Sequence, residues 1–130
     1  MLLQLARQLR REVHPLGVTG AQVSVLAAVR NAPGCGVREL AAREGMSAPA
    51  MSRLVRRLER AGFLARTPGP GGDRRRVGLE ITPEAERVLR LVRSRRTAWL
   101  SARLGRLDAD ELARVDAALP ALAALLEDAE

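Results

Sequence analysis

The amino-acid sequence predicts a mainly α-helical fold with one small β-hairpin. Apolar residues recur at the three- and four-residue steps of a helix through most of the 130 residues, and one pair of short segments alternates as strands do. Hydrophobic residues make up 47% of the chain but aromatic residues only 2%, so we expect an aliphatic core. This length suits a single fold unit.

Two helices are expected in the first 31 residues. The first carries one narrow apolar stripe, suited to a partner helix, and ends near Pro15. The members of the stripe are Leu2, Leu5, Leu9 and Val13. Thr19 and Gln22 have the spacing of a capping box and open the second helix, which the breaker run at 31–36 ends.

Two more helices, separated by a tight turn, follow. The first is short, from about Val37 to Glu44, and Gly45 stands where a left-handed C-terminal cap is needed. Ser47 is a good N-cap for the second helix, Pro49 is tolerated in its first turn, and we expect its end near Gly62.

The second helix of this pair has two chemically different faces. At about 100° per residue its apolar residues fall on one side and its arginines on the other. The apolar residues are Met51, Leu54, Val55 and Leu58, and the arginines are Arg53, Arg56, Arg57 and Arg60. We expect one face to pack against the core and the other to present guanidinium groups.

The hairpin is expected directly after this helix. Phe63 to Thr67 can extend as a first strand, and the alternation of Val77, Leu79 and Ile81 with smaller or charged residues predicts a second. The stretch from Thr67 to Val77 between them is rich in proline and glycine and forms the tip. It also contains Asp73, Arg74, Arg75 and Arg76.

Two helices close the chain. Thr82 and Pro83 form a cap and first-turn pair for a long helix that reaches Leu104, and its arginines at 93–96 either point to solvent or meet acids on a partner chain. A last helix begins at Asp108 and is expected to bend at Pro120 rather than stop there.

Charge is concentrated in the middle of the chain. All 22 basic residues are arginine, and the net charge is +7. The segment Ser47 to Val77 has eight arginines against Glu59 and Asp73, whereas Gly105 to Glu130 has two arginines against seven acids. This distribution favours a polyanionic partner for the central segment.

Cysteine usage and hydropathy predict a soluble, cytoplasmic protein without cofactors. The single cysteine, Cys35, excludes an internal disulfide framework, and no basic-then-apolar leader or apolar run of about 20 residues occurs. One histidine with one cysteine makes no typical metal site, and no catalytic dyad or phosphate-binding glycine motif is present. An enzyme is therefore not expected.

The order of these elements is that of a winged helix-turn-helix. In such folds the second helix of the pair enters the DNA major groove, where arginines pair with phosphates or with guanine. An arginine of the hairpin tip can enter the narrow minor groove. Asp73 is expected to accept hydrogen bonds from a neighbouring arginine and to fix its orientation.

Three stretches of the chain resemble the MarR family of bacterial transcription regulators. They are "LGVTGAQVSVLAAV", "VRELAAREGMSAPAMSRLVRRLERAGFLART" and "GGDRRRVGLEITPEA". The resemblance implies a homodimer that binds a palindromic operator and acts as a repressor. It implies dimerisation helices at residues 1–18 and 83–130 and a DNA-binding region at 19–82.

The resemblance also implies site residues. The major-groove set is Ser47, Pro49, Ser52, Arg53, Arg56 and Arg57. Arg75 is implied for the minor groove, with Arg74 and Arg76 beside it and Asp73 as the orienting residue.

The sequence also leaves other functions open. A nonspecific nucleoid-type DNA-binding protein would use the same arginines for phosphate alone, and an adaptor of proteins would bind no duplex. Many relatives bind small aromatic acids, for which His14 and Trp99 are the candidates here as contacts to a small-molecule effector. Cys35 is interpreted as an incidental thiol rather than a redox sensor.

Overall fold

The computed structural model describes residues 1–68 and 77–127. Within these ranges it contains six α-helices and a two-stranded antiparallel sheet, which confirms the fold class expected from the sequence. The helices are α1 (Leu2–Arg11), α2 (Gly20–Asn31), α3 (Val37–Arg43), α4 (Ala48–Arg60), α5 (Pro83–Leu104) and α6 (Ala109–Ala124), with a short 3-10 helix at His14–Leu16. The strands are β1 (Leu64–Pro68) and β2 (Val77–Ile81). Residues 1–96 form one compact unit, and a second begins at Thr97.

Local capping decides where the central helices begin and end. The hydroxyl of Thr19 accepts a hydrogen bond from the backbone N–H of Gln22 at 3.1 Å, and the Gln22 side chain accepts one from the Thr19 N–H at 3.0 Å. The Ser47 hydroxyl accepts a hydrogen bond from the Ala50 N–H at 3.3 Å. Gly45 has a φ of 64°, the left-handed conformation that the turn between α3 and α4 requires. All three predicted caps are confirmed.

The core of the first unit is aliphatic, as expected. It joins α2, α3, α4, the hairpin and the first half of α5 in one cluster. Its fully buried members are Val13, Leu26, Val29, Leu40, Met51, Val55, Leu58, Leu79 and Ala85. Phe63 packs against the edge of this cluster, and no polar side chain is buried among the residues described.

The two strands pair as the alternating pattern predicts, with small differences. β1 begins and ends one residue later than expected, at Leu64 and Pro68. Leu79 is fully buried, whereas Val77, which the pattern places on the same side, is 46% exposed. Val77 pairs with Pro68 at the end of the ladder, and Leu64 at the other end is buried. Leu64 and Leu79 therefore join the core, whereas the Pro68–Val77 end of the ladder lies outside it.

The connection between α2 and α3 fixes the hairpin to the helices. The N–H of Gly34 donates to the Leu79 carbonyl at 2.8 Å, and the N–H of Leu79 donates to the Cys35 carbonyl at 3.0 Å. The backbones approach so closely that a Cβ at Gly78 would lie 2.7 Å from the Gly34 oxygen. Glycine at position 78 is therefore a packing requirement.

Two arginines of α5 cap the end of α1. The Nε–H of Arg95 donates to the Glu12 carbonyl at 2.8 Å, and that of Arg96 donates to the Leu9 carbonyl at 3.3 Å. The expectation that these arginines point to solvent or meet a partner chain does not hold for this pair. The physical reason is that the last carbonyls of a helix lack partners within the helix and accept from cations readily.

The second unit contains the end of α5 and all of α6. Asp108 and Glu111 form a capping box, with hydrogen bonds of 2.8 and 3.0 Å. α6 continues through Pro120 and does not stop there, while the expected bend stays a prediction. It leaves a row of apolar side chains exposed: Leu112, Val115, Leu119 and Leu122. The assignment of residues 1–18 and 83–130 to dimerisation and of 19–82 to DNA binding stays a prediction.

Candidate nucleic-acid interface

Helix α4 separates an apolar face from a basic face. Met51, Val55 and Leu58 are fully buried in the core. The four arginines of the opposite side are all exposed: Arg53, Arg56, Arg57 and Arg60. Because the buried side chains fix the rotation of α4 about its axis, the orientation of the arginine row follows from packing rather than from the arginines themselves.

The exposed arginines of α4 keep their charge available. Among the residues that the structure describes, no acidic side chain forms an ion pair with any of the four. The one acid of the helix, Glu59, pairs instead with Arg66 of β1. Guanidinium groups without carboxylate partners are the groups that duplex phosphates and guanine edges bind most readily.

The beginning of α4 places the remaining predicted groups at the surface. Ser47 and Pro49 are exposed, and Ser52 is half-buried one turn further on. The Ser47 oxygen accepts the N-cap hydrogen bond and so stabilises the helix. Its hydroxyl hydrogen is still available as a donor.

A shallow cleft joins the start of α2 to the basic face of α4. Thr19 and Gln22 line it from α2, and Arg53 and Arg57 line it from α4. The N-terminal end of a helix carries a partial positive charge, which adds to that of the two guanidinium groups. The cleft is therefore an electropositive surface next to the predicted recognition helix.

The predicted groups of the hairpin tip lie outside the described residues. These groups are Asp73, Arg74, Arg75 and Arg76. The described residues on either side, Pro68 and Val77, are paired and exposed. The minor-groove role of Arg75 and the orienting role of Asp73 thus stay predictions.

Sequence reasoning did not identify Glu59 and Arg66 as a pair. The Nε–H of Arg66 donates to both carboxylate oxygens of Glu59, at 3.0 and 3.1 Å, and its Nη2 lies 2.8 Å from Oε1. The available indication was that Glu59 is the single acid between Ser47 and Gly72. An isolated acid in a basic segment needs a local partner.

The two residues predicted for effector binding occupy different settings. His14 is exposed at the start of the 3-10 helix in the first unit. Trp99 belongs to the second unit, where the Arg103 guanidinium lies 3.6 Å from its ring centroid. The face of the Trp99 ring is thus already in a cation–π contact within the chain. Effector binding by either residue stays a prediction.

A separate cleft in the first unit combines apolar walls with two arginines. Its walls are apolar residues of α1 and α2, among them Leu9, Val23 and Ala27, and Arg10 and Arg96 also line it. Burial, and secondarily the nearby charge of Arg10, lowers the pKa of Arg96.

The next two observations concern metal binding and the reactivity of Cys35. Across residues 1–68 and 77–127, no three His, Cys, Asp or Glu side chains are placed to hold a metal ion. Cys35 is buried, and that burial, with a smaller contribution from Glu39, raises the pKa of its thiol. A raised pKa disfavours the reactive thiolate. In the same part of the chain, every helix is too short or too polar to cross a membrane.

Comparison with known proteins gives consistent matches. The sequence model of the MarR family matches residues 16–76. An HTH-type transcriptional regulator of Mycobacterium leprae is 32% identical over 110 residues, which cover 85% of this chain and 76% of the relative.

Solved structures agree with these sequence matches. A Pseudomonas aeruginosa protein described as a transcriptional regulator superposes with a TM-score of 0.83 at 32% identity, covering 98% of this chain and 89% of that one. The apo form of E. coli MarR superposes with a TM-score of 0.77 at 26% identity, covering 92% and 89%.

Proposed function

This chain belongs to the MarR family of transcription regulators, and from that premise we propose that it represses transcription as a homodimer on a palindromic operator. In this proposal α4 enters the major groove of double-stranded DNA and the hairpin tip enters the minor groove. The observation that carries the proposal is α4 itself: one face is buried in the core, and the other exposes four arginines that form no ion pair with any acid in the described part of the chain.

The major-groove contacts are assigned to α4. Arg53, Arg56 and Arg57 stand on its exposed side, and Ser47, Pro49 and Ser52 lie in its first two turns, the part of a recognition helix that usually reaches base edges. Arg60 lies at the last turn and is assigned to phosphate or solvent. An arginine that pairs bidentately with guanine contributes both affinity and sequence preference.

The minor-groove contacts are assigned to Arg75, with Arg74 and Arg76 on the adjacent backbone and Asp73 orienting the cluster. The paired strands that bound this segment support the assignment, since they present both of its ends at one exposed edge of the sheet. Replacing Asp73 is expected to weaken binding although it removes a negative charge.

The homodimer is supported by exposed apolar surface on the terminal helices. Leu2 and Leu5 of α1 are 51% and 40% exposed, and Leu119 of α6 is 53% exposed. Apolar rows of this length on a soluble chain mark an interaction surface. A two-fold dimer buries identical rows against each other and places two α4 helices on two half-sites. Bound at a promoter, such a dimer would repress transcription by occupying the DNA.

We assign a small-molecule effector to the cleft that Arg10 and Arg96 line, and its chemistry indicates an anion with an apolar body. This assignment differs from the His14 and Trp99 contacts expected from the sequence. Titration of an aromatic carboxylate into the protein–duplex complex tests it, and substitution of Arg96 by Gln should abolish any release of DNA.

The decisive experiment is footprinting on the promoter of the gene that encodes this chain, followed by a salt titration with the protected duplex and a scrambled duplex. A sequence-specific regulator binds the protected duplex about 10³-fold or more tightly than the scrambled one. A nonspecific nucleoid-type protein shows equal affinity and equal salt dependence for both. That second outcome would refute the proposal.

A further inference from the structure

We propose that Glu59 is a positioning residue: through Arg66 it sets where the hairpin stands relative to α4, and hence whether both elements reach the duplex together. The inference rests on the proposed function, because it concerns the spacing of two elements that contact DNA. Neither residue is required to touch a base.

The contact itself is a closely fitted ion pair. Both carboxylate oxygens of Glu59 accept from the Nε–H of Arg66, and Oε1 also receives Nη2 at 2.8 Å. The Glu59 side chain is 27% exposed and that of Arg66 is 44% exposed, so the pair is partly shielded from water. A planar guanidinium held by three contacts allows little relative rotation of the two elements.

The choice of partner is informative. Arg56 stands three residues before Glu59 on α4, at a spacing that commonly forms an ion pair along a helix. Glu59 instead pairs across the chain reversal with β1. Arg56 therefore keeps its charge for other contacts, and Arg66 is held against the helix.

The outer part of β1 has no buried side chain of its own. Leu64 is buried and anchors one end of the strand, but Ala65, Arg66 and Pro68 are exposed, so the core holds this part of β1 only through its pairing with β2. In the described part of the chain, Glu59 and Arg66 are the one pair of residues whose side chains hydrogen-bond α4 to a strand. The pair thus restrains the strand two residues before it enters the tip segment.

A purely electrostatic role for Glu59 predicts the opposite change in operator affinity. If Glu59 acted only through its charge, it would repel phosphate, and its removal would tighten binding to every duplex. If Glu59 positions the hairpin, its removal weakens binding to the operator while binding to unrelated duplexes stays equal or tightens. The direction of one measured change therefore separates the two explanations.

The test uses the full chain and fluorescence anisotropy with two duplexes: one that the wild-type protein selects from a random-sequence pool, and its scrambled permutation. Glu59→Gln should bind the selected duplex about three- to fivefold more weakly, the upper range for a partly exposed ion pair, without losing affinity for the scrambled duplex. Glu59→Asp keeps the charge but shortens the side chain, so it should weaken only selected-duplex binding.

A matched control and a coupling measurement complete the design. Glu80 is exposed on β2 and pairs with no described side chain, so Glu80→Gln should change binding to both duplexes equally. Arg66→Lys should weaken selected-duplex binding, and the double variant with Glu59→Gln should be no weaker than the worse single variant. Thermal melting confirms that each variant is folded.

The possible outcomes separate the two proposals. If the wild-type protein does not distinguish the selected from the scrambled duplex, the proposed function fails and this inference fails with it. If the wild-type protein distinguishes them and Glu59→Gln tightens both as Glu80→Gln does, only the positioning role is overturned. Additive effects of Glu59→Gln and Arg66→Lys would overturn it as well.

Discussion

Replacing Gly78 by alanine should destabilise the first unit by an amount that the backbone geometry sets. An added Cβ would lie 2.7 Å from the Gly34 carbonyl oxygen, 2.9 Å from its Cα and 3.0 Å from its carbonyl carbon. These neighbours are backbone atoms, so no side chain can rotate away. Overpacking costs about 1–3 kcal/mol, and displacing the Gly34–Leu79 hydrogen bond adds about 1 kcal/mol. We expect a total loss of about 2–4 kcal/mol.

Urea unfolding followed by circular dichroism measures this loss. Gly36→Ala is the matched control, because a Cβ there meets only the Val77 oxygen at 3.9 Å and the φ of −89° suits alanine. Its cost should stay below about 1 kcal/mol, from the weaker helix cap. The steric reasoning is refuted if Gly78→Ala unfolds at the same urea concentration as Gly36→Ala.

Three further outcomes are expected. Arg53→Ala should weaken operator binding by about 1–3 kcal/mol and relax the sequence preference at one position, whereas Arg60→Ala should weaken binding less and to all duplexes alike. Equal losses of affinity for the two variants in anisotropy titrations would contradict the assignment. Leu119→Glu, which places a charge in the exposed row of α6, should yield monomers in sedimentation equilibrium, and an unchanged dimer would exclude this row from the interface. Because the pKa of Cys35 is raised in the folded state, its contribution to stability is complete below the ordinary value of 9.0 and is lost as the pH rises above it. Cys35→Ala should therefore flatten the fall of the unfolding free energy above pH 9.0, and an unchanged slope would contradict the burial argument.

The helices could be predicted because the interactions that bound them are local. Thr19 and Gln22 stand three residues apart, as do Ser47 and Ala50, and each pair satisfies backbone groups within one turn. Gly45 supplies a backbone conformation that other residues adopt at a cost. Such contacts can be identified from residue type and spacing alone.

The arginines show where this reasoning stops. Composition and periodicity placed a basic row on α4, but they could not say which arginines already have partners. Arg95 bonds to a carbonyl 83 residues away, and Arg66 bonds across the chain reversal after α4. In the sequence these arginines are indistinguishable from Arg53, which keeps its charge exposed.

By itself the sequence determined the order and extent of the helices, the aliphatic core and the segregation of basic residues, because these depend on periodicity and on contacts within a few residues. Only the tertiary structure decided which charges are paired, why position 78 requires glycine and how the sheet is anchored to the helices. Those features depend on atoms that approach one another only after the chain has folded, and their distances are not encoded in any local spacing.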